Sequence, residues 1–164
     1  MREVLNIQIS VVGASEPTDE AIYMAEEVGR ALATRGVTLV TGGLGGIMEA
    51  ACRGAKAAGG TTVGILPGSN PEESNRYVDI KVCTGIGYAR NSIVVKSGSS
   101  VIAIDGAYGT LSEIAHALGE GIPVIGLRTW SISRRGETDS SIVIADDPED
   151  AVVKAIAAAQ CSNK

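Results

Sequence analysis

The chain has 164 residues, 45% of them apolar but only 3% aromatic, with 21 glycines, no phenylalanine and a formal charge of −5. That length suits one domain with a core on both faces of a sheet, built from Val, Ile, Leu and Ala. The acidic balance argues against a nucleic-acid partner, and three scattered cysteines, Cys52, Cys83 and Cys161, argue against a disulfide framework or a zinc site. Along the chain, strand-like and helix-like segments alternate. Residues 4–12 form an aliphatic, β-branched run that predicts a strand ending at Gly13-Ala14-Ser15. Thr18 is placed to cap a helix over 19–34, where Ile22, Ala25, Val28, Gly29 and Leu32 make a stripe at 3–4 spacing, and Gly36 stops it. A short buried strand at 37–41 leads into Gly42-Gly43-Leu44-Gly45-Gly46 and a helix of small residues over 47–58. Next come a strand at 61–66, a loop at 67–77, a brief strand at 78–82 and a helix at 88–96. A strand at 100–105, a turn at 106–109, a helix at 110–118 and a strand at 123–127 follow. Residues 129–140 read as a polar connection holding Trp130, Arg134 and Arg135, residues 142–145 as an edge strand, and residues 148–159 as an Ala-rich helix with Pro148 in its first turn.

This alternation implies right-handed crossovers and an α/β fold: a Rossmann-like, doubly wound, mainly parallel sheet with helices on both faces, as a single domain over 1–164. Ligands of such sheets sit beyond the carboxyl ends of the strands, near the switch in strand order. The glycine stretches fall at those ends. No apolar run approaches the ~20 residues that span a bilayer, and no leader pattern follows Met1, so the expectation is a cytoplasmic protein with no membrane partner.

Two strand–glycine–helix junctions carry the chemistry. They are Thr41-Gly42-Gly43-Leu44-Gly45-Gly46-Ile47-Met48-Glu49 and Asp105-Gly106-Ala107-Tyr108-Gly109-Thr110-Leu111-Ser112-Glu113. Glycine at such bends lets backbone N–H groups turn toward an anion, and the helix behind adds its positive end. Tight strand–helix packing explains one such loop; two in one sheet point to a phosphate. It would be held by Gly42, Gly43 and Gly46 on one side and by Gly106, Ala107, Tyr108, Gly109 and Thr110 on the other. Gly13 and Ser15, after the first strand, are expected to line the same site. Neither loop is the G-x-G-x-x-G fingerprint of the first strand, and a Walker A lysine is missing, which sets aside NAD-enzyme and ATP-hydrolase readings.

Glu113 has two readings. Thr110-x-x-Glu113 has the form of a capping box; alternatively the carboxylate lies beside a bound ribose and activates water or stabilises an oxocarbenium-like centre. Arg90 suits phosphate or carboxylate recognition, with a surface salt bridge as the plainer alternative. His116, the only histidine, reads as a packed or exposed helix residue. Asp146-Asp147-Pro148 reads as a helix start, and neither it nor Asp139 is taken as a metal site. Trp130 is expected to anchor its loop or a subunit contact, with stacking on a ring ligand left open.

Together these residues resemble the LONELY GUY superfamily of Rossmann-like proteins, whose members often carry a lysine decarboxylase label. The resemblance runs from Val11-Val12-Gly13-Ala14-Ser15 to Gly121-Ile122-Pro123-Val124. The family's G-G-x-x-G-[LI]-M element is matched by Gly42, Gly43, Gly46, Ile47 and Met48, which adds Met48 to the ligand-binding set. Its hydrolase loop P-G-G-x-G-T-x-x-E is matched by 105–113, and its R-K pair by Arg90-Asn91. The resemblance implies that Arg90 and Glu113 correspond to the catalytic pair of nucleoside 5′-monophosphate phosphoribohydrolases, which release a free base. This chain departs from that pattern with Asp105 for proline, Ala107 for glycine and Asn91 for lysine. The short length, Gly46-Ile47-Met48-Glu49-Ala50 and Tyr88-Ala89-Arg90-Asn91 look more like the molybdenum cofactor carrier proteins, which share the fold and bind a pterin phosphate bearing molybdenum. The resulting expectation is a binder or carrier of a small phosphorylated heterocycle, with the molybdenum cofactor or an AMP-like nucleotide as ligand and no cofactor required. The alternatives are hydrolysis of AMP or a cytokinin monophosphate, and a nucleotide sensor or scaffold. No lysine sits in a cofactor-lysine context, so decarboxylation is set aside. The superfamily further implies a homo-oligomer, a dimer or tetramer.

Overall fold

The computed structural model describes residues 7–162; residues 4–6 of the expected first strand lie outside the described residues. In chain order the elements are β1 (Gln8–Gly13), α1 (Asp19–Thr34), β2 (Thr38–Thr41), α2 (Ile47–Ala57), β3 (Thr62–Leu66) and β4 (Ile80–Cys83). They continue with α3 (Asn91–Lys96), β5 (Ser100–Ile104), α4 (Tyr108–Gly119), β6 (Val124–Leu127), β7 (Ser133–Arg134), β8 (Glu137–Thr138), β9 (Ile142–Ile144) and α5 (Pro148–Ser162). Seven strands form one sheet in the order β4-β3-β2-β1-β5-β6-β9, and every neighbouring pair is parallel. The chain winds outward from β1 to β4, then crosses back to place β5 on the other side of β1. The switch in strand order therefore lies between β1 and β5, where such sheets bind ligands. The doubly wound Rossmann-like expectation holds.

Alternation along the strands builds two cores. Ile9, Val11, Ile102 and Ile104 face α1, α2 and α5, while Val12, Val40, Val101 and Ala103 face α3 and α4. Helix starts follow their capping chemistry. Thr18 Oγ1 accepts from the Ala21 amide at 3.2 Å, and Asp147 Oδ1 accepts from the Asp150 amide at 2.8 Å ahead of α5.

Three segments differ from expectation. The helix expected over 88–96 is a 3₁₀ turn, Gly87–Arg90, followed by α3; Gly87, at φ 61, opens that tighter turn. Helix α4 starts at Tyr108, earlier than expected, because a glycine in a first turn costs little where amides lack helical partners anyway. The polar connection carries a small hairpin, β7 paired with β8. Its turn, Arg135-Gly136, has φ of 55 and 83, the two positive values that match the twist of a two-residue hairpin. Among the described residues, no helix is long and apolar enough to cross a membrane.

Candidate functional site

Beyond the carboxyl ends of β1 and β2, at the start of α4, lies a cavity of about 270 Å³, close to the lower end of ligand sites, roughly 300 Å³. Gly13, Ala14 and Ser15 lead into it from β1, and Gly42, Leu44 and Met48 from the first glycine stretch. Ala107, Gly109, Thr110 and Glu113 border it from the second, with Tyr88, Arg90 and Asn91 from the turn before α3. The two junctions, remote in sequence, thus face one space. A second groove, between α1 and α5, is lined by charged side chains that already pair with one another or with near neighbours, Arg30 with Glu26 and Glu27 and Arg35 with Glu149. It lies away from the strand ends.

The start of α4 is open. Ala107 is its N-cap and makes no side-chain capping bond. Among the described residues no acceptor meets the amides of Tyr108, Gly109 and Thr110, so these donors, with the positive end of the helix, remain available to an anion. Of the two readings of Glu113, the capping box with Thr110 does not form, because Thr110 lies inside the first turn rather than at the N-cap. Both side chains are instead buried, 3% and 8% exposed, and line the cavity.

Arg90 is buried, at 7% exposed. Its Nη1 donates to Asn91 Oδ1, and Nη2 reaches the Gly42 carbonyl at 3.5 Å. Its Nε is buried with no partner. An idle buried donor costs stability unless an acceptor reaches it, and Arg90 is among the residues that line the cavity. Burial lowers the Arg90 guanidinium from its ordinary range, opposed by the negative charge of Glu113. Burial raises the Glu113 carboxyl to about 7, against the pull of Arg90. Near neutral pH that group is able to give or take a proton.

Not every expected site residue reaches the cavity. Gly43, at φ 75, packs on Gly64 and Leu66; Gly46, at φ 67, backs onto the Ala14 carbonyl, 2.4 Å from where a Cβ would stand. Gly106 lies under the Thr110 side chain. Tyr108 is 81% exposed and leans outward, its ring 5.8 Å from that of Trp130. None of these four lines the cavity; close packing explains the glycines. Gly42 does line it, and a Cβ there would stand 2.8 Å from Arg90 Nη2, so its bareness makes room for the guanidinium. Conversely, Val11, Val12, Ala14, Leu44, Tyr88 and Asn91 line the cavity without having been singled out as ligand contacts. Adjacency was the available signal for Asn91, next to Arg90, and scarcity for Tyr88, in a chain poor in aromatics. His116 is exposed. Cys52 is buried and its thiol is pushed up to about 11 by burial, which makes it a poor nucleophile near neutral pH. Among the described residues no group of three or more His, Cys, Asp or Glu side chains gathers.

A family model described as the SLOG cluster4 family matches residues 6–152. The chain belongs to the SLOG cluster4 family. An uncharacterized protein of Archaeoglobus fulgidus is 46% identical over 122 residues, 74% of this chain and 80% of its own length. A Mycobacterium tuberculosis protein named cytokinin riboside 5′-monophosphate phosphoribohydrolase is 33% identical over 143 residues, 84% of this chain and 70% of its own. Among solved structures, the molybdenum cofactor binding protein of Rippkaea orientalis matches with a TM-score of 0.84 at 36% identity, covering 94% of this chain and 99% of that one. The molybdenum cofactor carrier protein of Chlamydomonas reinhardtii matches with a TM-score of 0.81 at 32% identity, covering 93% and 98%. The superfamily resemblance read from the motifs, near the carrier branch, is borne out.

One departure from the hydrolase motif has a visible consequence in this SLOG cluster4 chain. Asp105 stands at φ 53, a value closed to proline, whose ring fixes φ near −65°. The second loop therefore leaves β5 along a path that a P-G-G loop cannot take. It is held instead from outside. Thr129 Oγ1 donates to the Asp105 carbonyl at 2.5 Å, and Trp130 Nε1 donates to the Ala107 carbonyl at 3.2 Å. Trp130 thus anchors its connection to the loop, one of the readings expected for it.

Proposed function

We propose that this chain binds a small phosphorylated heterocycle of pterin or nucleotide type, and that the molybdenum cofactor is its cargo. One observation carries the reading: Arg90, buried and with one donor unpartnered, lines the cavity that the uncapped start of α4 also borders. A planar guanidinium and a helix N-terminus are complementary to a phosphate, the first by charge-assisted donors and the second by aligned amides. In this reading the phosphate sits between Arg90 and the Gly109 and Thr110 amides, which belong to cavity-lining residues. Likeness to the cofactor-binding protein of R. orientalis and the carrier of C. reinhardtii supports a pterin phosphate as cargo. Protein purified gently from cells that make the cofactor, then oxidised, should release a fluorescent pterin, and Arg90→Ala should release little. Wild-type protein that neither carries nor takes up a pterin phosphate overturns the reading.

A second reading has its own support. Glu113, buried and near 7 beside Arg90, is poised for general acid–base work, and a relative at 33% identity is named a phosphoribohydrolase. In that reading Arg90 holds the phosphate side and Glu113 assists water at the anomeric carbon. The path of the loop at Asp105 weighs against it. Incubation with AMP separates the two: adenine released by wild type above the Glu113→Gln background favours hydrolysis, and equal background release favours the carrier. A homo-oligomer is proposed on the superfamily resemblance, in keeping with β4, whose four residues are all exposed.

A further inference from the structure

Only five residues of this chain are aromatic, one Trp and four Tyr, so the place of each is informative. Tyr77 lies beneath the Arg76 guanidinium, 5.3 Å from its ring centre, and Tyr108 leans on Trp130. Tyr88 is different. It lines the cavity that holds Arg90, yet it is 88% exposed and makes no ring contact or side-chain hydrogen bond among the described residues. Its phenol is close enough to act electrostatically on the Arg90 guanidinium.

The backbone beneath this free ring is fixed. Thr84 donates to the Leu66 carbonyl from its amide at 3.1 Å and from its hydroxyl at 2.6 Å. The Gly85 amide donates to Gly68 at 3.1 Å and the Gly87 amide to Pro67 at 3.0 Å. The 3₁₀ turn Gly87–Arg90 then carries Tyr88 and the buried Arg90 on a single turn. A rigid base under an unpartnered ring at a cavity rim is a preorganised surface, because little ordering is left to be done when a flat group lands on it.

We propose that Tyr88 is the platform on which the ligand's ring stacks: a planar heterocycle lies on the Tyr88 face while its phosphate end lies at Arg90. The inference rests on the phosphate-binding reading and extends it, since one turn supplies both the anion contact and the ring contact. It also explains why an almost wholly exposed tyrosine occupies the rim. The competing occupant is a second copy of this chain, because Ile86 is also exposed, at 51%; cavity lining favours the ligand.

Calorimetric titration with two probes, AMP and ribose 5-phosphate, tests it on wild type, Tyr88→Ala and Tyr88→Phe. The expected result is a loss of AMP affinity in Tyr88→Ala of roughly 5- to 150-fold, the range of a lost base–aromatic stack. Ribose 5-phosphate affinity should stay within about twofold, and Tyr88→Phe should keep most of the AMP affinity. Equal loss for both probes, no loss for AMP, or a change of oligomeric mass in Tyr88→Ala overturns the inference while leaving the phosphate site standing. Wild type that binds neither probe overturns the phosphate reading and the inference with it.

Discussion

The first glycine stretch is tightly packed and tied at several points. Gly43 and Gly46 take φ of 75 and 67 with neighbouring atoms too close for a Cβ. The Gly43 amide donates to Thr41 Oγ1 at 3.1 Å, and Asn75 Nδ2 donates to the carbonyls of Gly43 and Leu44. The start of α2 is also partly used, because the Ile47 amide donates to the Ala14 carbonyl at 3.0 Å. The second stretch is tied at two carbonyls, by Thr129 and Trp130, and its helix begins with free amides. Two stretches that look alike as sequence therefore divide the labour. The second leaves all three first-turn amides free beside Arg90; the first spends its Ile47 amide on Ala14, keeps those of Met48 and Glu49, and clears room for the guanidinium.

The sharpest way to break this division is to remove the shared charge. Arg90→Ala should weaken AMP binding by about 30-fold to several-thousand-fold, the ~2–5 kcal/mol typical of truncating a buried charged contact, measured by calorimetry. Unchanged affinity would mean the anion is held elsewhere.

Glu113 comes next. Its folded value, about 7, lies above the 4.5 of the free group. The unfolded chain thus binds fewer protons between those values, and stability falls as pH rises from about 4.5 to about 7. Glu113→Gln should be more stable than wild type at pH 8 by up to ~3 kcal/mol, and close to wild type at pH 4. Urea unfolding at both pH values checks it; a constant difference contradicts the burial of an ionised carboxyl.

Gly46→Ala should cost ~2 kcal/mol or more, from the left-handed φ plus the clash at the Ala14 carbonyl. Its counterpart, Ala107→Gly in the second loop, should change stability by less than ~1 kcal/mol, because Ala107 sits at an ordinary φ of −101. Similar losses in both would erase the contrast. Smallest is Trp130→Phe, which keeps a ring but drops the bond to Ala107. It should reduce AMP affinity about 2- to 10-fold with little change in Tm, and an unchanged affinity would detach the connection from the site.

The sheet was legible because buried parallel strands read as aliphatic runs, as at 100–104 and 124–127, and because Thr18 and Asp147 cap where their side chains say they should. The small hairpin was not, since Arg135-Gly136 lacks the usual Asn-Gly or Asp-Gly signal. Glu113 stayed ambiguous for a physical reason: T-x-x-E is written the same way for a cap and for a cavity, and only the register of α4 separates them. Gly109 reads as a turn by composition, which hid the two residues that make α4 start at Tyr108. Arg90 was legible by type and neighbours, but its unpartnered Nε exists only once Gly42, Asn91 and the cavity surround it. Tyr88 was legible only as part of Tyr88-Ala89-Arg90-Asn91, not as a ring at a cavity rim.

A crystal structure of the protein with AMP tests the central claim most directly. The account predicts phosphate oxygens within hydrogen-bonding reach of both the Arg90 guanidinium and the Gly109 and Thr110 amides. Phosphate density on the Gly43–Gly46 amides alone, or in the groove between α1 and α5, would contradict it.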